Sequence, residues 1–238
     1  QKNSFFNIDI LALDCLDNVI NIFNPETIVN CIGVTKQKIE GKNIKDVNYI
    51  NSIFPHDLDK ICKKKSIRLI HLSTDCVFFG DKGNYKVSDN PDAKDLYGQS
   101  KFRGEVLSDN ALTIRKSTIG FELYEHHGLL EWFLTQNNDV NGFANAFFSG
   151  ISTIELGKIL YRVIKFYPEI NGIHHLSGPK IDKYNLLLKI KSTFKLTNIK
   201  LNMFKDYYCD RSLIDSGLSS MISYNMPNWD KMILDLFL

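Results

Sequence analysis

Tyr97-Gly98-Gln99-Ser100-Lys101 sets a phenol and an ammonium four residues apart, at the start of a helical pattern and just after a long polar stretch. On a helix that spacing brings both side chains to one face. A nearby cation stabilises the phenolate of a tyrosine, whose ordinary pKa is ~10, and moves the group toward useful proton transfer at neutral pH. By itself Y-x-x-x-K is a common pattern, so its weight comes from its neighbours. Upstream, His71-Leu72-Ser73-Thr74-Asp75 ends an apolar run and would put the Thr74 hydroxyl at the carboxyl edge of a sheet, where such folds bind ligands and where it can hydrogen-bond a substrate carbonyl. Further upstream, Asn30-Cys31-Ile32-Gly33 ends another apolar run on a small residue that permits close approach of a bound cofactor.

The elements that must position these residues follow from periodicity. Short apolar runs alternate with longer helical patterns through the first two-thirds of the chain, the signature of βαβ units around a mostly parallel sheet. Strands are expected over residues 27–32, 67–72, 112–115 and 173–176. Helices are expected over 44–64 (bent by Pro55), 97–107, 129–135, 154–166, 184–194 and 229–237. Residues 78–95 read as a long loop, and the segments joining the last two helices as irregular. Gly142-Phe143 with Phe147-Phe148 reads equally as a substrate border or as a turn and edge strand.

Composition bounds the rest. In 238 residues, 44% of them hydrophobic, a sizeable core can form, and 29 basic against 27 acidic residues leave a net charge of only +2. That balance argues against nucleic acid as a partner. Lys63-Lys64-Lys65 falls at a helix end, where cations complement the dipole. Five scattered cysteines without a C-x-x-C pair point to a reducing, cytoplasmic setting. No apolar run is long enough to span a bilayer, and Gln1 to Asn7 does not read as a signal peptide, so no membrane role is expected. The pairs His126-His127 and His174-His175 lack the spacing of metal ligands, and no metal site is expected.

The blocks Asn30-Cys31-Ile32-Gly33, Asn51 with Pro55, Ser73-Thr74-Asp75-Cys76-Val77-Phe78, Tyr97-Gly98-Gln99-Ser100-Lys101 with Gly104-Glu105, Ser149 to Thr153, and Asp210-Arg211-Ser212-Leu213 together resemble the extended short-chain dehydrogenase/reductases, specifically the dTDP-4-dehydrorhamnose reductase branch. The resemblance spans nearly the whole chain. It implies an α/β fold with a Rossmann-type doubly wound parallel sheet, with a nucleotide-binding domain over 1–120 and 153–178 and a small substrate-binding region over 121–152 and 179–238. It further implies NADPH- or NADH-dependent reduction of a 4-keto group on a nucleotide-linked 6-deoxyhexose, for cell-surface polysaccharide precursors. Tyr97 would protonate the developing alkoxide, Thr74 would hold the same oxygen, and Lys101 would bind the nicotinamide ribose and lower the tyrosine pKa, with Asn51 supporting a proton relay. Asn30, Cys31, Ile32, Gly33, Ser73, Tyr97, Lys101, Arg115, Lys116 and Ser117 would lie along the cofactor. Thr74, Asp75, Cys76, Tyr97, Gly142, Phe143 and Arg211 would face the substrate, Arg211 on the diphosphate. A homodimer is implied by the family alone.

Two departures stand out. Rhamnose enzymes usually carry tyrosine where this chain has Cys76, which leaves the sugar open. No G-x-G-x-x-G or G-x-x-G-x-x-G occurs, although such folds hold pyrophosphate on a glycine-rich first turn. The chain opens on what would be a later element, so either residues precede Gln1 in the natural protein or the cofactor loop has been lost. The residues therefore leave three functions open: a keto-sugar reductase, an epimerase or dehydratase sharing the same triad, and a reductase-like regulatory subunit such as the partner of some methionine adenosyltransferases. Among blander readings, Glu105 is expected to pair with Lys101 one turn away, and Trp132 and Phe133 to belong to the core rather than a sugar pocket.

Overall fold

The computed structural model describes residues 8–10, 13–39, 42–123 and 127–238; the expectations for Gln1 to Asn7 and for His126 lie outside them. In chain order the elements are α1 (Leu13–Phe23), β1 (Thr27–Asn30), α2 (Ile44–Asn48), α3 (Phe54–Lys64), β2 (Arg68–Leu72), α4 (Leu96–Arg103), β3 (Ala111–Arg115) and β4 (Thr118–Ile119). There follow α5 (Leu129–Leu134), β5 (Asp139–Phe148), β6 (Ile151–Ser152), α6 (Thr153–Phe166), β7 (Gly172–His175), β8 (Ile181–Asp182), α7 (Lys183–Thr193), β9 (Lys200–Asp210), α8 (Leu218–Met221) and α9 (Trp229–Phe237).

Two compact units divide the chain. The first comprises Gln1–Ser73, Asp95–Thr113 and Asn171–Ile173. It holds β1, β2 and the starts of β3 and β7, in the order β1-β2-β3-β7. β1 and β2 pair in parallel, Thr27 opposite Arg68 through Asn30 opposite His71. Both are short strands with an apolar centre, TIVN and RLIHL, as expected where helices cover the sheet. Ile20, Phe54, Leu58, Cys62, Ile67, Leu69, Val106 and Ala111 form one buried cluster, so α1 and α3 lay their apolar stripes on the strands.

The helix expected over 44–64 is real but interrupted. Tyr49–Ile53 is a π-helical turn between α2 and α3, and Pro55 sits in the first turn of α3, where its missing N–H costs nothing. α3 ends on Lys63 and Lys64, as the dipole favours. α4 is shorter than the sequence pattern, stopping at Arg103 with Gly104 as its cap.

The second unit comprises Thr74–Lys94, Ile114–Ile170 and His174–Leu238. Its three-stranded sheet has the order β8-β5-β9: β5 pairs antiparallel with β8 and parallel with β9, with an irregularity between Phe143 and Asn145. β9 corrects the expectation of irregular chain there. Its sequence, KLNMFKDYYCD, lacks clean alternation because most of its residues stay partly exposed, so periodicity had no buried face to report. α7 starts on the Asp182 cap, whose carboxylate accepts from Asn185 N at 2.8 Å, and α6 on the Ser152 cap, which accepts from Glu155 N at 3.2 Å.

Candidate functional site

In the first unit the Asp95 carboxylate accepts from Gly98 N at 2.9 Å, and this cap fixes the start of α4, so that Tyr97 and Lys101 fall in its first and second turns. Tyr97 is half-buried, while Lys101 is only 4% exposed. A desolvated ammonium needs hydrogen-bond acceptors, and Lys101 Nζ donates to Leu72 O at 3.0 Å, at the carboxyl end of β2. Gly33 lies against this group: a Cβ there would stand 3.3 Å from Asn51 Oδ1 and 3.7 Å from Lys101 Nζ. A side chain at 33 would press on the Asn51 amide and fill the space beside the ammonium.

Asn51 ties these pieces together. It stands on the π-helical turn, fully buried, accepts from Val34 N at 2.8 Å, and donates to Val34 O at 3.0 Å and Ser100 Oγ at 3.1 Å. Ser100 Oγ in turn donates to Tyr97 O at 2.9 Å. Both amide hydrogens of Asn51 are thereby used on the loop after β1 and on α4. Gly104 permits this crossing, since a Cβ there would meet Asn51 O at 1.9 Å.

At the strand ends, Asn30 Nδ2 donates to His71 Nδ1 at 3.1 Å and Asn30 Oδ1 accepts from Ile32 N at 3.0 Å, shaping the turn over 30–33. Accepting at Nδ1 leaves the hydrogen of His71 on Nε2. Burial first, then the charges of Lys101 and His56, hold His71 well below the ordinary histidine pKa, so it is neutral. Beyond this turn Cys31, Ile32 and Gly33 are exposed, Ile32 by 42%. Ser73 Oγ donates to Glu105 Oε1 at 2.7 Å. Glu105 lies just past the Gly104 cap that ends α4.

In the second unit Thr74 caps a 3-10 turn, Asp75–Val77, and its Oγ1 accepts from Cys76 N at 3.1 Å and lies 3.1 Å from Asp75 Oδ1. Asp75 N donates to Lys116 O at 3.2 Å, fastening the turn to the chain after β3. Asp75 is buried, and this desolvation holds its carboxyl above the usual range against the opposing pull of Lys183 and Arg211. Burial likewise pushes the Cys76 thiol up to about 12, leaving it an unreactive group. Arg211 Nε donates to Phe78 O at 2.9 Å, and Arg211 N to Phe147 O at 3.0 Å.

Lys183 was not singled out by the sequence, where a lysine opening a helix reads as a solvated end. Its Nζ lies 3.7 Å from the centroid of the Phe148 ring, and burial lowers its pKa. The pairing of Phe148 with Ile181 and of Phe147 with Asp210 explains how Lys183 and Arg211, on opposite neighbours of β5, reach the same carboxyl.

Other expected residues sit as follows. Arg115 is buried, its guanidinium 3.3 Å from His175 Nε2 and over the Phe78 ring, and Lys116 Nζ donates to Thr118 Oγ1 at 3.1 Å. Ser117 is half-buried. Gly142 packs on Tyr184, whose Cα would be 2.9 Å from an added Cβ, and Phe143 is 39% exposed beside Phe204 and Tyr207. Phe133 is core, whereas Trp132 is 40% exposed. Among the described residues no group of His, Cys, Asp and Glu is placed to hold a metal, and no helix is long and apolar enough to cross a membrane.

A parallel sheet with exposed loops at its strand ends and a Tyr–Lys helix beside them defines the class: an α/β fold of the Rossmann type. More narrowly, residues 2–127 match the family model described as the RmlD substrate binding domain, and the chain belongs to that family. A probable low-salt glycan biosynthesis reductase from Haloferax volcanii is 29% identical over 117 residues, 47% of this chain and 39% of that protein. A dTDP-4-dehydrorhamnose reductase from Aggregatibacter actinomycetemcomitans is 26% identical over 197 residues, 78% and 67% of the two chains. The methionine adenosyltransferase 2 subunit beta of Bos taurus is 24% identical over 220 residues, 86% and 65%. The chain thus spans between about two-fifths and two-thirds of these relatives. In fold it matches the crystal structure of a dTDP-4-dehydrorhamnose reductase from Bacillus anthracis in complex with NADP, with a TM-score of 0.83 at 19% identity over 97% of this chain and 86% of that one.

Proposed function

We propose that this chain carries the catalytic part of a reductase that uses NADPH or NADH to reduce the keto group of a nucleotide-activated deoxysugar. The observation that carries the reading is the buried Lys101, donating to Leu72 O from the same helix face as Tyr97, with Asn51 bonding the neighbouring Ser100 and Gly33 lying alongside. Family membership and the reductases among the relatives support it. The residues present fit a dinucleotide: Gly33 leaves a cradle that a Cβ would fill, the 31–33 turn is exposed, and Lys101 supplies an ammonium for a ribose hydroxyl. When bound, that cofactor supplies the hydride.

In this reading Asn30, Cys31, Ile32, Gly33, Ser73 and Lys101 hold the cofactor, with Lys116 and Ser117 farther along it. Tyr97 delivers a proton to the keto oxygen, Lys101 stabilises the phenolate left behind, and Thr74 supplies a hydrogen bond to that oxygen. Arg211 takes the diphosphate through its paired N–H groups, and Asp75, Cys76, Gly142 and Phe143 border the sugar. Asn51 acts by fixing Ser100 and the 31–34 loop. Tyr97→Phe is expected to lower turnover on the order of 10²–10⁴-fold while nucleotide-sugar binding, followed by calorimetry, survives; unchanged turnover would sink the reading.

A second reading, a regulatory subunit without catalysis, draws on the long match to the methionine adenosyltransferase subunit. It predicts that no keto sugar is turned over and that Tyr97→Phe leaves every measurable property in place.

A further inference from the structure

A threonine hydroxyl has one hydrogen and two lone pairs. At Thr74 one lone pair is taken by Cys76 N at 3.1 Å, and the Asp75 carboxyl stands 3.1 Å away on the other side. If Asp75 is ionised it can only accept, and the single Thr74 hydrogen goes to it. Thr74 then presents a lone pair outward and has nothing to offer a ketone oxygen, which also only accepts. If Asp75 holds a proton, it donates to the second lone pair of Thr74 and the Thr74 hydrogen is free to point away.

We propose that Asp75 is a positioning residue that works as a neutral acid: by donating its own proton to Thr74 Oγ1 it turns the Thr74 hydroxyl outward as a donor to a bound keto oxygen. This rests on the keto-reductase reading above. The carboxyl is 6% exposed, which favours the neutral form. Lys183 from the head of α7, Arg211 from beyond β9, and the Thr74 and Cys76 side chains on its own turn favour the ionised form, and burial outweighs them. Lys183 and Arg211 therefore set the pH at which the hydroxyl reverses.

The test follows the aspartate side-chain carboxyl resonances of carbon-13-labelled protein as a function of pH, with Asp75 assigned by its loss in Asp75→Asn, or by its displacement in Lys183→Met should the first variant fail to fold. Asp75 is expected to titrate above the ordinary aspartate range, and higher still in Lys183→Met, where one opposing cation is gone. In parallel, keto reduction by the wild type should fall tenfold per pH unit above that same midpoint. Asp75→Asn, whose amide N–H can donate to Thr74 at every pH, should lose this limb whatever its plateau turnover, and should turn over faster than Asp75→Ala. An Asp75 ionised through the neutral range overturns the proposal, as does a limb that persists in Asp75→Asn. If no keto sugar is reduced at any pH the reductase reading fails, while the resonance titration still decides the state of Asp75.

Discussion

Lys101 in the first unit and Lys183 in the second are both ammonium groups drawn into the protein, yet their surroundings differ in kind. Lys101 is met by the carbonyl of Leu72 and by a neutral histidine, within a web of amide and hydroxyl bonds running through Asn51, Ser100 and Val34. Lys183 is met by an aromatic face and by the charges of Asp75 and Arg211. Neutral partners of fixed geometry give a cation one place to be, and their loss is felt as lost stability. Charged partners set one another's protonation, and their loss is felt as a moved pH dependence. The first unit is built to hold a geometry; the second is built to tune a proton.

The largest expected effect tests the rigid side of this contrast. Gly104→Ala drives a methyl to 1.9 Å from Asn51 O, a backbone atom that cannot swing aside. A loss of about 3 kcal/mol in unfolding free energy is expected, seen as a lower urea midpoint, since overpacking against backbone cannot be relieved by a rotamer change. An unmoved midpoint would show that α4 rides loosely on the π-helical turn. Asn51→Leu comes next: it removes three hydrogen bonds and strands the Val34 N–H, with an expected cost of about 2 kcal/mol. Its signature is faster amide exchange at Val34, which a mere packing defect near α3 would not produce.

His71 sharpens the comparison from the first unit's own side, as a buried group whose pKa is pushed well below its ordinary value. Burial, Lys101 and His56 depress its folded pKa, so the unfolded chain takes up a proton that the folded one refuses. Stability is full above the unfolded value of 6.5 and is lost as pH falls below it toward the depressed folded value, at a limiting slope of about 1.4 kcal/mol per pH unit. His71→Gln should abolish that slope between pH 6 and 5, on an order-of-magnitude scale readable by denaturant titration. A variant as acid-sensitive as the wild type would place the lost stability elsewhere.

The sequence showed the first unit's chemistry better than the second's. Y-x-x-x-K, the small residue at 33 and the strand-end Ser73 are local features, and local spacing survives translation into structure as helix faces and strand ends. Asn51 could be named but its partners could not, because Val34 and Ser100 meet it through a π-helical turn that no 3.6-residue periodicity signals. The Lys183–Asp75–Arg211 grouping was out of reach for a different reason: its members come from three elements, two of them flanking β5 in a sheet whose third strand, β9, carries no clean alternation. α1 was missed outright, although six of its eleven residues are Leu, Val, Ile or Phe, because its short apolar stripe lies in a polar opening stretch.

The smallest expected effect separates a charge that tunes from a charge that decorates. Lys180 meets Asp210 at 2.5 Å in the second unit, with the lysine side chain 38% exposed and the carboxylate 6%. Burial pushes the Asp210 carboxyl up, but hydrogen bonds from Lys180 and Ser212 outweigh it and hold the group below its ordinary value. Its contribution is therefore present above the unfolded carboxyl pKa of ~3.9 and is lost as pH falls through the lower folded value. Ser212 N and Oγ still bond Asp210 Oδ1 at 3.0 and 2.6 Å when the lysine is gone. Because solvent screens the exposed lysine, Lys180→Met should cost well under about 1 kcal/mol at pH 7, and less in high salt. The difference from wild type should vanish once Asp210 is protonated. A cost several times larger at neutral pH would mean that this pair, like Lys183 and Asp75, is sealed from water, and the contrast between buried and screened charge within the second unit would have to be redrawn.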